Sequence, residues 1–181
     1  DVSGSPPRSV RVTLLRDVDR VEIADEIQAA PAGNAHYRFN VNLASPQIRF
    51  EEVGAIARPG LAPQGDFLPG TRADYMTLNH FASFATNAYT VTLSNADAFA
   101  MRVGNSTPSS FDLSLPEVSV LAVGNPSSSD IGNQGGDSLF KNRFAVQGAP
   151  APYSGAAAMR ASLAHQNPLR AIALARNQAG P

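Results

Sequence analysis

Apolar and polar residues alternate along much of the chain, the period of a β-strand with one buried face. The clearest stretch runs from Tyr37 to Leu43, where Tyr37, Phe39, Val41 and Leu43 share one side and Arg38, Asn40 and Asn42 the other. A helix does not place those four residues together, so the pattern predicts a central strand with the aromatic side inward. Similar runs predict strands over 10–15, 21–27, 47–53, 89–93, 99–103, 111–115, 118–123, 140–146 and 158–163. Turn formers separate them: Pro31-Ala32-Gly33-Asn34, Arg58-Pro59-Gly60, Leu68-Pro69-Gly70, Gly104-Asn105 and Gly124-Asn125-Pro126. Many short strands punctuated by glycine and proline indicate antiparallel sheets packed face to face, an all-β sandwich rather than parallel α/β units.

Three segments depart from this period. Residues 127–138 are almost free of apolar side chains and predict a mobile surface loop. A second long connection spans 54–74, and loops of that length are usually functional or flexible. The carboxyl end reads as a short helix over 168–178, with Asn167 as cap and Pro168 at the first helical position. At 181 residues the whole chain fits one β-sandwich domain. The start, without methionine and with Pro6-Pro7 in a run of small residues, suggests a piece of something longer.

Charge narrows the set of partners. Fourteen basic residues against fifteen acidic ones leave a net charge of −1, so there is no global field to gather nucleic acid or an anionic membrane, and neither is expected as a partner. Lys141 is the only lysine, and the scattered arginines read as compositional bias rather than a patch. The chain has no cysteine, which removes disulfides, thiolate chemistry and cysteine-ligated metal. No apolar run approaches the ~18 residues a membrane-spanning helix needs.

Candidate chemistry is sparse. His36, His80 and His165 lie far apart and lack metal-ligand spacing, so polar surface or strand-edge roles are expected. Asp25-Glu26 and Glu51-Glu52 are carboxylate doublets, but adjacent strand residues point to opposite faces, whereas glycoside hydrolysis needs two carboxylates about 5–9 Å apart across a sugar. A solvated strand surface is the expectation for both doublets. Asp17 and Asp19 share a face if their segment is extended, which leaves a calcium site or a turn cap open, the turn being favoured. No Gly-x-Ser-x-Gly elbow is present, and Gly132, Gly135 and Gly136 lack the lysine and helix of a phosphate cradle. Asn105-Ser106-Thr107 fits a glycosylation acceptor, a triplet common by chance. Aromatic rings that could stack on a pyranose are Tyr75, Phe81, Phe84, Tyr89 and Tyr153, with the three tyrosines as the carbohydrate-contact candidates; the chain has no tryptophan, and core packing is expected for most phenylalanines.

The order of motifs resembles the carboxyl-terminal β domain of the family 38 glycoside hydrolases, the class II α-mannosidases. The pieces are Val18-Asp19-Arg20-Val21-Glu22-Ile23, His36-Tyr37-Arg38-Phe39-Asn40-Val41, Ile48-Arg49-Phe50-Glu51, Leu68-Pro69-Gly70 with Asp74-Tyr75, Tyr89-Thr90-Val91-Thr92-Leu93 and Asn142-Arg143-Phe144-Ala145-Val146-Gln147-Gly148. Phe140 stands near the place of the tryptophan common before the last of these, and no proline follows the aromatic-rich strand. The resemblance implies a galactose-mutarotase-like supersandwich that supports an upstream catalytic domain. In that family the zinc and the nucleophilic aspartate belong to the catalytic part, so the resemblance implies no catalytic residue, metal site or cofactor in this chain. It implies two partners, the upstream catalytic domain of the same polypeptide and carbohydrate. An independent carbohydrate-binding or adhesive β-sandwich is the alternative. If the chain supports another domain, an apolar patch should lie exposed where that domain docks, with Leu61, Phe67, Leu68, Tyr75 and the terminal helix as its expected members.

Overall fold

A computed structural model describes residues 7–28, 34–123 and 139–169. Its elements are β1 (Arg8–Leu14), β2 (Arg20–Ile27), β3 (Ala35–Asn40), β4 (Gln47–Glu52), β5 (Ala55–Ala57), β6 (Met76–Thr77), β7 (Phe81–Ala85), β8 (Thr90–Asn95), β9 (Ala100–Val103), β10 (Glu117–Val123), β11 (Phe140–Ala149) and α1 (Gly155–Gln166). The strands form a seven-stranded sheet in the order β1-β2-β11-β8-β7-β4-β5 and a four-stranded sheet in the order β3-β10-β9-β6. All strand pairs are antiparallel. The two sheets pack as a mostly β sandwich, as the alternation predicts.

The core lies between the sheets. Ile48 and Phe50 from β4, Ala82 and Phe84 from β7, Leu93 from β8 and Phe144 from β11 meet Met101, Val103, Val118 and Val120 of the smaller sheet. Phe144 sits at its centre, with the rings of Tyr37 and Phe39 tilted against it at 5.0 and 5.1 Å. Tyr37, Phe39, Val41 and Leu43 do pack against this core. Their strand, however, is an edge of the four-stranded sheet and not a central one, and it ends at Asn40. The four side chains are therefore only half-buried.

Two predicted strands are absent. Residues 158–163 belong to α1, because the sequence there is rich in alanine, the strongest helix former. Ser154 caps this helix by accepting from the Ala157 amide, and the buried Ala158 and Ser162 lie one turn apart on its inner side. Residues 111–115 form an irregular connection with a single bridge from Asp112 to Gly104. Asn167 caps the carboxyl end of α1, its amide bonded to the Leu163 carbonyl, instead of starting a helix. Of the helix expected over 168–178, Pro168 and Leu169 are not helical and the rest lies outside the described residues, as does the loop expected over 127–138.

Strand β7 carries no alternation because both of its faces are covered. Ala82 and Phe84 face the core, while Phe81, Ser83 and Ala85 are buried on the opposite side, where α1 packs across β7, β8 and β11. Small side chains let the helix approach closely. Ser83 Oγ lies 3.1 Å from Thr92 Oγ1, and Ser94 Oγ lies 2.9 Å from His165 Nδ1. Asp17 sits in the turn between β1 and β2 with a positive φ of 60°, which favours the turn role for the Asp17/Asp19 pair.

Candidate functional site

The acidic doublets divide by face, but one member of each, Asp25 and Glu51, is buried rather than solvated. Asp25 is 1% exposed, because its register partners Val10 and Asn142 place it on the core side of the large sheet. Its carboxylate accepts from Arg8 Nε at 2.7 and 3.0 Å and from the Tyr37 hydroxyl. Burial, followed by the Asp25 carboxylate, pushes the Tyr37 hydroxyl well above its ordinary range. Glu51 is also buried, on the other side of the sheet. It accepts from His80 Nδ1 at 2.8 Å, the His80 amide at 3.0 Å, the Gly54 amide at 3.3 Å and Asn79 Nδ2 at 3.4 Å. Burial alone pushes this carboxyl up, yet the bonds from His80, Gly54 and Asn79 outweigh it and hold the group below its usual range.

Both carboxylates are engaged by hydrogen bonds from neighbouring groups. Asp25 lies within the sandwich and Glu51 outside it, so they do not face each other across a sugar-sized space. Glu117, on the outer side of the small sheet, is claimed by Arg38 through two nitrogens at 2.9 and 2.8 Å and by the Ser119 hydroxyl at 2.9 Å. The Arg38 guanidinium holds the Glu117 carboxyl low, with burial opposing and Ser119 assisting. Among the described residues no three His, Asp or Glu side chains converge in a way that could hold a metal ion.

Acid should erode the fold in two stages. Burial lowers the pKa of His165 and of His36 below 6.5, so the unfolded chain takes up those protons first and stability falls as pH drops from about 6.5. Glu51 is depressed below 4.5; its contribution is intact above about pH 4.5 and disappears as pH falls through the lower folded value. Urea midpoints measured from pH 7 to pH 3 should show both declines. His165→Gln together with His36→Gln should flatten the first, and Glu51→Gln should lessen the second, which Glu117 and Asp74, also held low, share.

The three tyrosines are not brought together. Tyr75 precedes β6 on the outer side of the small sheet, stacked on His36 at 6.1 Å, with its hydroxyl 3.3 Å from both His36 Nε2 and Asn34 Nδ2. Tyr89 follows the β7–β8 turn and lays its hydroxyl over Gly148, where any Cβ would come within 2.3 Å of that oxygen. Tyr153 leads into α1; its hydroxyl is buried without a hydrogen-bond partner, and its ring carries the Arg49 guanidinium 4.6 Å from the centroid. Phe81 and Phe84 are fully buried, so neither can serve as a sugar platform.

Tyr153 borders an open groove of about 510 Å³ on the outer side of the large sheet, with Ser45, Gln47, Arg49, Thr86 and Asn87 around it. A second depression of about 470 Å³ lies on the other side of the same Ser45–Gln47 segment, against Arg58 and Leu113. Sequence reasoning overlooked Gln47, Arg49 and Asn87. The i, i+2 placement of Gln47 and Arg49 on the outward side of β4 was the available signal.

The expected apolar patch is only partly at 61–75. Leu61 and Leu68 are exposed, but Phe67 stacks between Phe50 and Phe111, and Tyr75 is held by His36. A more continuous row lies on β1. Val10, Val12 and Leu14 are 53%, 61% and 77% exposed, although their register partners Asp25, Ile23 and Val21 place them on the core-facing side of the sheet. The seven-stranded sheet overhangs the four-stranded one here, and no described residue covers β1.

Fold and surface together define a two-sheet antiparallel sandwich with buried, hydrogen-bonded carboxylates, a polar groove beside α1 and an exposed apolar row on β1 that no described residue covers. No family model matches the sequence, and no curated protein is significantly similar to it.

Proposed function

We propose that this chain is a non-catalytic supporting β domain of an α-mannosidase-like glycoside hydrolase, built as a galactose-mutarotase-like supersandwich and packed against the upstream catalytic domain of the same polypeptide. The observation that carries the reading is the row Val10, Val12 and Leu14, exposed on the core-facing side of an edge strand. Among the described residues nothing covers that apolar row or pairs with the outer edge of β1, and native proteins ordinarily cover such a surface. The order of motifs from Val18 to Gly148, which resembles that of the family 38 carboxyl-terminal β domain, supports the choice of enzyme for the covering part. Carbohydrate is the ligand of the parent enzyme, and zinc chemistry belongs to its catalytic domain.

The polar groove beside Tyr153 favours a second reading, an independent carbohydrate-binding or adhesive module. One experiment separates the two. The polypeptide encoded upstream in the same gene is mixed with this chain, and amide hydrogen exchange is followed across residues 8–15 together with turnover of an aryl α-mannoside. The supporting-domain reading expects no turnover by the chain alone, strong protection of β1 on mixing, and loss of any self-association. Unchanged exchange at β1, or an upstream sequence made of repeated β modules, would overturn it in favour of the second reading.

A further inference from the structure

We propose that the groove between β4, the β7–β8 turn and the segment leading into α1 binds an acidic saccharide unit, a pyranose carrying a carboxylate or phosphate, with Arg49 holding the anionic group. The site stands apart from the mannosidase reading, since an adhesive module would use it equally well, and its failure would leave that reading untouched.

The first observation is an arginine without a counter-ion. Arg8, Arg20, Arg38, Arg58, Arg72 and Arg143 each pair with a carboxylate, whereas Arg49, like Arg11, Arg16, Arg102 and Arg160, makes no ion pair with any described residue, and of these it is Arg49 that lines the groove. Asp66 is close enough for Arg49 to help depress its pKa, but it is claimed by Arg58, whose guanidinium reaches it at 2.6 Å and whose amide reaches it at 2.8 Å. Among the described residues no acidic side chain lines the groove. A cation facing an acid-free cavity is complementary to an anion.

Position is the second observation. The Arg49 guanidinium lies 4.6 Å from the centre of the Tyr153 ring and donates one N–H to Gln47 Oε1 at 2.6 Å. The ring contact and that bond hold the guanidinium in place and leave its other N–H groups without a hydrogen-bond partner among the described residues, so that they can receive a carboxylate or phosphate through two oxygens. Tyr153 is itself held, because its hydroxyl is buried and Gly155 leaves room for it beside Ile56.

The neutral lining then selects a sugar over a bare anion. Ser45 and Asn87 side chains make no hydrogen bond with the described residues, and Gln47 uses only its carbonyl oxygen. Thr86 is already committed to the turn, accepting from the Ala88 and Tyr89 amides. Around the cation there remain a hydroxyl and two amides in about 510 Å³, a volume within the ordinary range for small-ligand sites. A monosaccharide offers the matching ring of hydroxyls; an inorganic anion does not.

The chain is titrated by calorimetry and by ¹H–¹⁵N NMR with methyl glucuronide, mannose 6-phosphate, neutral methyl α-mannoside, acetate and inorganic phosphate. At least one acidic sugar is expected to bind about tenfold or more tightly than methyl α-mannoside and than its own bare anion. Chemical-shift changes should centre on 44–49, 85–87 and 152–153. The glucuronide and phosphate arms tell which anion the groove prefers. Arg49→Gln should weaken that binding about tenfold or more, and Asn87→Ala should weaken it less, both with an unchanged melting temperature. Equal binding of the neutral sugar, equal binding of the bare anion, no binding of any probe, or full affinity in a folded Arg49→Gln variant would each overturn the proposal. Should Arg49→Gln fail to fold, the Asn87→Ala result and the shift map decide.

Discussion

Phe144→Ala is expected to cost about 3–5 kcal/mol of folding stability, the range for emptying a fully buried aromatic site. Phe144 is 0% exposed and lies on β11, paired with Ile23 on one side and Asn95 on the other. Its ring reaches across the sandwich to Tyr37 and Phe39, so truncation opens a void between the sheets and removes two aromatic contacts at once. The surroundings have little freedom to collapse into that void, because β2, β11 and β8 are tied by a continuous ladder. Phe39→Ala should cost less, since Phe39 is only half-buried on an edge strand. Urea denaturation of both variants checks this ranking. A loss below ~1 kcal/mol at Phe144 would mean that the two sheets do not meet there.

The second large effect is expected at Asp25. Asp25→Ala should destabilise by roughly 2–4 kcal/mol, because removing one member of a buried charged cluster leaves its partners unsatisfied. The estimate is set below the upper end for buried pairs because the Arg8 side chain is 50% exposed and can turn to water. The Tyr37 hydroxyl has less freedom, held between Asp25 and the core. Asp25→Asn keeps the shape and an acceptor, and should cost less. A double-mutant cycle with Tyr37→Phe isolates the coupling, and the double variant should be more stable than the sum of the two single losses predicts. Strict additivity in that cycle would show that the two groups do not interact.

Sequence pattern alone determined that the molecule is an antiparallel sandwich, and the reason is local. Strands with one wet face write their orientation into every second residue, as β4 does in Ile48 and Phe50 against Gln47 and Arg49. The inward set of β3, the extents of β2 and β10 and the start of β11 were legible for the same reason. Elements buried on both faces, or on neither, carry no such record. Strand β7 was missed because α1 covers its second side, and that helix was misread because Met159, Ala161 and Leu163 imitate alternation in a run of alanines.

Tertiary structure decided what the polar and exposed residues do. Asp25 is adjacent to Glu26 in sequence, yet only the register of β2 against β1 and β11 turns it inward toward Arg8 and Tyr37. Val10, Val12 and Leu14 read as an ordinary buried strand face; they are exposed because the opposing sheet has four strands where this one has seven. The groove joins residues 45–49, 86–87 and 152–153, three segments that come together only through the pairing of β4 with β7 and the return of the chain into α1. Periodicity reports which side of a strand meets apolar surroundings. It carries no term for which strand lies alongside, and both the site and the uncovered edge depend on that term.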